Sequence, residues 1–104
     1  MAYTILFAVE RKEGLSDEEF VATWLEHSKV GAALPNLRGY EILTVDESAE
    51  TGGKPADGFV IMRFDSKEDW EAAAASPEMA TSVADSPSFA AHFSTYFVES
   101  HTII

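Results

Sequence analysis

The sequence predicts an α+β fold of the ferredoxin-like kind, a duplicated β-α-β unit with a four-stranded antiparallel sheet. An apolar run of strand length, Tyr3 to Val9, gives way to the charged turn Glu10-Arg11-Lys12-Glu13-Gly14 and then to Ser16-Asp17-Glu18-Glu19, a helix-start pattern. The pattern recurs as Ser66-Lys67-Glu68-Asp69, directly after the apolar run Phe59 to Phe64, with Trp70 placed as Phe20 is in the first half. At 104 residues the chain has room for one domain, 1–104, with a thin core.

Each element has its own signal. Ser16 caps the first helix and Glu19 reaches back to it, while Leu15 and Phe20 occupy the positions of a hydrophobic staple. Three acids in that first turn suit the positive end of the helix dipole. The helix should run to about Ala33 and stop before Pro35. Gly39 to Val45 reads as the second strand. Asp46 to Asp57, with Gly52, Gly53 and Pro55, reads as a polar loop. In the second half Ser76-Pro77 and Ser86-Pro87 each pair a Ser cap with a first-turn proline, so the second helix breaks into pieces. Thr95 to Ile103 is expected to close the sheet.

The strands are apolar on both faces at Phe59-Val60-Ile61-Met62, and Tyr3 to Val9 nearly so. Two helices cover one face of a four-stranded sheet, and a face left to water alternates with polar residues. The uncovered face should therefore pack on an identical subunit, making a homodimer; cover by the C-terminal segment is the alternative.

Seven Lys and Arg against 18 Asp and Glu give a formal charge of -11. That sign excludes a nucleic-acid binder and disfavours anionic membranes, leaving apolar or neutral small molecules and proteins as partners. Without Cys there is no disulfide, thiolate nucleophile or zinc-thiolate site. The opening residues carry neither a signal-peptide pattern nor an apolar run long enough to span a bilayer, so a cytoplasmic location is expected.

On a helical wheel Phe20, Val21, Trp24, Leu25, Gly31 and Ala32 form one apolar arc, with His27 at its edge. An imidazole facing the gap between helix and sheet suits general acid or base work near neutral pH. A half-buried histidine bonded to a backbone carbonyl fits the same position. His92, placed before the last strand, and His101, near its end, make no metal motif with it. Ser28 follows His27 directly and points about 100° away, so the two are not a nucleophile and its base. No phosphate loop, nucleophile elbow or dinucleotide fingerprint occurs. Among the many aromatics, Phe7, Trp24, Tyr40 and Phe93 are expected to line an apolar cavity, with Tyr40 either orienting a ligand carbonyl or bonded to backbone.

The stretch Arg11-Lys12-Glu13-Gly14-Leu15-Ser16-Asp17-Glu18-Glu19-Phe20, with Trp24, His27 and Leu34-Pro35-Asn36-Leu37-Arg38-Gly39-Tyr40, resembles the EthD family, named for bacterial ethyl tert-butyl ether degradation. Asp57-Gly58-Phe59 through Phe64-Asp65-Ser66 looks like its second block. The resemblance implies a dimeric α/β barrel, two ferredoxin-like sheets packed face to face, and chemistry without metal or organic cofactor. It implies that His27 and Tyr40 lie in the ligand cavity as catalytic residues, the histidine in proton transfer. Three positions depart from the family pattern, one of them Arg63, which stands on the third strand where a tryptophan is frequent. Ile61 stands where an acid is frequent, which removes a candidate partner of His27, and Asn36 stands where a glycine usually follows the proline.

The expected function is therefore a cofactor-independent lyase or isomerase moving a proton next to a carbonyl in an aromatic, lactone or polyketide-like molecule. The alternatives are a non-catalytic binding or accessory protein of a catabolic, oxidoreductase pathway and a heme-binding barrel protein with His27 on the iron.

Overall fold

The computed structural model describes residues 2–46 and 56–104. Helix α1 (Asp17–Gly31) starts as its sequence dictates. The Ser16 hydroxyl accepts the Glu19 amide proton at 3.1 Å, and the Glu19 carboxylate accepts the Ser16 amide at 3.1 Å, a complete capping box. The chain leaves α1 through Ala32 and turns at Asn36, whose φ is 65°. Asparagine tolerates this left-handed conformation better than most residues, so it can do here what a glycine would.

Strands β1 (Tyr3–Arg11), β2 (Gly39–Thr44), β3 (Gly58–Phe64) and β4 (Ala90–Val98) form one antiparallel sheet in the order β2-β3-β1-β4. Helices α2 (Lys67–Ala74) and α3 (Pro77–Asp85) follow β3, and a 3-10 turn, Ser86–Ser88, leads into β4. The hydroxyls of Ser66 and Ser76 each accept the amide three residues on, at 3.1 Å, and Pro77 opens α3. This is the ferredoxin-like α+β architecture expected from the duplicated pattern.

The two-residue period of the strands decides which side chains meet the helices. Ile5 and Val9 of β1 and Val60, Met62 and Phe64 of β3 are buried beneath the helices, with Phe20, Trp24, Leu34 and Phe89 completing the core. Ile5 lies opposite Met62, and Phe7 lies opposite both Val60 and Thr95. The alternate residues Leu6, Ala8, Phe59 and Ile61 point to the other face and are only half-buried. Among the described residues no helix lies on that face.

Several expectations require correction. The last strand is Ala90–Val98, not Thr95 to Ile103: it pairs with β1 from Arg11↔Ala90 to Thr4↔Val98, through a register shift at Glu10/Arg11. His92 consequently lies within β4, and His101 lies beyond it in an exposed tail. Because that tail is exposed, the C-terminal segment does not cover the outer sheet face. Ser86 is not a cap. Its hydroxyl donates to the Val83 carbonyl at 2.8 Å, and Asp85 precedes the 3-10 turn. The buried stripe of α1 is Phe20, Trp24, His27 and Gly31. Leu25 is 51% exposed, so the apolar arc is rotated from the wheel's expectation and His27 belongs inside it. The loop expected over Asp46 to Asp57 lies mostly outside the described residues.

Candidate functional site

Two close approaches set the shape of the space between α1 and the sheet. The Trp24 indole lies directly over Gly58, where any Cβ would collide with the ring. One turn from His27, the Tyr40 side chain leans on Gly31, its hydroxyl 2.7 Å from where a Cβ would stand. The sheet supplies the opposite wall, since Tyr40 pairs with Met62 across β2 and β3 and Phe93 pairs with Val9 across β4 and β1.

These elements border a half-open cavity of about 280 Å³. Phe7, Trp24, His27, Tyr40 and Phe93, the five site residues expected from the sequence, all line it. Trp70, Met79, Ser82, Val83, Ser86 and Phe89 line it too, and α3 with its following turn brings most of these. The aromatic wall is continuous. Trp24 stacks on Phe89 at 5.6 Å between centroids, Phe89 meets Phe93 edge-on at 5.9 Å, and Phe93 meets Phe7 at 6.5 Å.

His27 is 7% exposed, and its ring lies 4.8 Å from that of Phe89. Nδ1 is 2.6 Å from Oδ2 of Asp85, the last residue of α3. A carboxylate only accepts, so Nδ1 is the donor, and in the neutral ring Nε2 is left with its lone pair. The Ser82 hydroxyl stands 3.4 Å from Nε2. The half-buried alternative, with His27 bonded to a backbone carbonyl, does not hold. Ser28 donates instead to the Leu25 carbonyl at 2.5 Å and takes no part.

Asp85 also corrects the expectation that Ile61 deprives His27 of an acidic partner. Ile61 pairs with Leu6 and Glu41, so its side chain belongs to the outer face of the sheet, away from the cavity. The acid comes from α3 instead. Sequence reasoning missed Asp85, Ser82 and Phe89, because nothing in the pattern set α3 against α1. One signal was present. An acid in the last turn of a helix opposes the helix dipole, and such a local conflict marks a residue held by something else. Asp85 stands at the N-cap position of the 3-10 turn as well, yet its side chain makes no capping bond.

Tyr40 is half-buried, and burial pushes its phenol above the ordinary value, so the hydroxyl stays a proton donor in the physiological range. Among the described residues no three His, Asp or Glu side chains converge as metal ligands. No described helix is long and apolar enough to cross a membrane.

A family model, the EthD domain, matches residues 12–92. An EthD family protein from Bacillus halodurans C-125 has a similar structure, with a TM-score of 0.80 at 19% identity over 97% of this chain and 100% of that one. A dimeric ferredoxin-like protein of unknown function from Thermobifida fusca YX gives 0.69 at 16% identity, covering 92% of this chain and 88% of that one. A dabb family protein with a ferredoxin-like fold from Mesorhizobium loti gives 0.72 at 12% identity, covering 97% and 98%. No curated protein sequence matches the chain.

Proposed function

The chain belongs to the EthD family, and from that premise we propose that its cavity binds an apolar small molecule and moves a proton at a carbon next to a carbonyl. Aromatic, lactone and polyketide-like molecules are the substrate classes. The supporting observation is a buried His27, set in an aromatic wall and held by the half-exposed Asp85. Asp85 holds the ring by Nδ1 and so turns Nε2 toward the bound molecule. Nε2 takes the proton from the carbon, and the charge gained by the imidazole lies against the Asp85 carboxylate. Tyr40, which lines the same cavity, donates to the carbonyl oxygen as negative charge collects there. His27 then returns the proton at the product carbon or to a departing group. In this reading no metal or organic cofactor takes part.

The experiment is deuterium uptake at carbons next to carbonyls, followed by NMR in D₂O over a panel of small ketones and lactones. Wild-type protein should accelerate uptake in at least one class, and His27→Ala should remove roughly 10²–10⁴-fold of the acceleration. Ligand-induced thermal stabilisation without any exchange would leave the second reading, a binding or accessory module, for which the apolar lining is the supporting feature. In that case His27→Ala changes affinity only a few fold. The heme reading has less in its favour: about 280 Å³ walled by packed aromatics suits one or two rings better than a porphyrin macrocycle.

The working unit in this proposal is a homodimer, closed through the outer sheet face into an α/β barrel. The half-buried Leu6, Ala8, Phe59 and Ile61 on that face, with Leu43 at 41% and Tyr96 at 52% exposure, support it, as does the dimeric neighbour from Thermobifida fusca.

A further inference from the structure

We propose that Ser82, His27 and Asp85 form a nucleophile, base and positioning acid, giving the cavity a second activity, hydrolysis of small neutral esters or lactones through an acyl-Ser82 intermediate. Such a constellation is recognised by geometry and roles, whatever the order of its members in the chain. Ser82 and Asp85 are three residues apart on α3, so they share one face of the helix. Both are turned to His27 of α1, and they take opposite nitrogens of its ring. Asp85 lies 2.6 Å from Nδ1 and Ser82 lies 3.4 Å from Nε2. A nucleophile-to-base distance slightly longer than a tight hydrogen bond is common before substrate binds.

The behaviour of the other hydroxyls makes Ser82 stand apart. Thr81, its neighbour on the same helix, donates back to the Pro77 carbonyl at 3.1 Å, the ordinary recourse of a hydroxyl inside a helix. Ser86, which also lines the cavity, donates to the Val83 carbonyl. Ser76 caps α3 and donates to the Ala73 carbonyl. The contact of the Ser82 hydroxyl is with the imidazole, not with the backbone of its own helix.

The step balances with water as the only co-reactant. Ser82 Oγ attacks the ester carbonyl carbon as its proton passes to His27 Nε2, and the tetrahedral oxyanion accepts a hydrogen bond from Tyr40. Collapse breaks the bond to the alcohol oxygen, which takes the proton from His27, leaving an acyl-Ser82 ester. Water then gives its proton to His27 Nε2 and attacks the acyl carbon. Ser82 leaves with the proton returned, and a carboxylic acid is released. The product ionises beside Asp85 on a chain of formal charge -11, and that repulsion favours its departure. The apolar lining selects a neutral, hydrophobic acyl or aryl group, and about 280 Å³ limits it to a small one.

The test labels wild-type protein with an alkyl fluorophosphonate, locates the adduct by peptide mass mapping, and follows hydrolysis of 4-nitrophenyl butyrate. One adduct per chain, on Ser82, is expected, and it should fail to form in His27→Ala. Ser82→Ala, with its fold checked by circular dichroism, should lower ester hydrolysis on the order of 10³-fold or more. Absence of label, label on another residue, or hydrolysis undiminished in folded Ser82→Ala overturns the proposal. Labelling is read on the wild-type chain, so it decides the matter even if a variant does not fold. Deuterium exchange that depends on His27, in a protein that resists the fluorophosphonate, overturns the Ser82 nucleophile alone and leaves the proton-transfer function intact.

Discussion

Asp85 holds His27 across two helices, carboxylate oxygen to Nδ1 at 2.6 Å, from residues 58 apart in the chain. The imidazole is 8% exposed and the carboxylate 44%, so the acid reaches in from the rim while the base sits inside. Asp85 touches the cavity only through that ring and is a positioning residue.

Asp85→Asn replaces an obligate acceptor by a group that can also donate, and the ring is then free to take the other tautomer. Turnover should fall by roughly 10²-fold, inside the range a misplaced general base costs, with KM changed by no more than a few fold. Asp85→Glu should recover part of kcat, and His27→Ala/Asp85→Asn should be no slower than His27→Ala alone. Equal kcat in wild type and Asp85→Asn contradicts the assignment.

The contrast between what the chain announced and what it hid has a physical basis. Ser16, Ser66 and Ser76 are local signals, since a cap needs only the amides of its own next turn, and all three act as caps. Strand alternation is equally local, and in the structure it puts Phe7 and Tyr40 on the cavity side; Phe93 lies there too, but on a stretch of β4 that the sequence did not mark as strand. The start of β4 was misplaced because Ala90 to Ser94 looks no more strand-like than its flanks. Its pairing with β1 is settled by register, from Val9↔Phe93 onward. The partner of His27 was illegible for a related reason. The approach of α3 to α1 is a tertiary event, and no spacing within either helix encodes it.

Stability at high pH should report Tyr40. The folded state holds the phenol proton more tightly than the unfolded chain, because burial disfavours the phenolate. That contribution is whole below a pH of about 10, where both states are protonated, and is lost as pH rises through the higher folded value. Urea melts from pH 9 to 11 should show wild-type stability falling more steeply than that of Tyr40→Phe. Parallel curves refute the assignment.

The acid limb is predicted from Glu19. Its carboxyl is held below the ordinary value by hydrogen bonding to Ser16, through the backbone amide first and the side chain second. A depressed folded value means stability present above the ordinary carboxylate range and lost as pH falls through the folded value. Glu19→Gln should therefore flatten the decline of stability between about pH 5 and 3 relative to wild type, read by thermal melts at each pH.

The outer sheet face makes a prediction about assembly. Ile61 sits at its centre, between Leu6 on β1 and Glu41 on β2. Light scattering at micromolar concentration should give about twice 11.4 kDa. Ile61→Lys puts an unpaired charge into that contact and should give a folded species of half the wild-type mass. A wild-type protein that is monomeric and folded at these concentrations contradicts the dimer.

The approach of Tyr40 to Gly31 gives a prediction that separates packing from chemistry. A Cβ at residue 31 would lie 2.7 Å from the Tyr40 hydroxyl and 3.1 Å from the ring carbon that carries it. Gly31→Ala favours the helix by intrinsic propensity, so a gain in stability is the outcome if the space were open. The contact reverses that sign. The alanine must push the phenol aside, and overpacking of this kind costs about 1–3 kcal/mol. Removing the hydroxyl removes the nearest obstruction, so Gly31→Ala should cost less in a Tyr40→Phe background. Urea denaturation of the two single variants and the double variant should yield a coupling of roughly 0.5–3 kcal/mol. Since the displaced group is also the proposed donor to the ligand carbonyl, Gly31→Ala should lower kcat as Tyr40→Phe does, while leaving the His27–Asp85 pair in place. Additive stabilities, or a stabilised Gly31→Ala with full activity, would show that Tyr40 does not stand over residue 31 in solution.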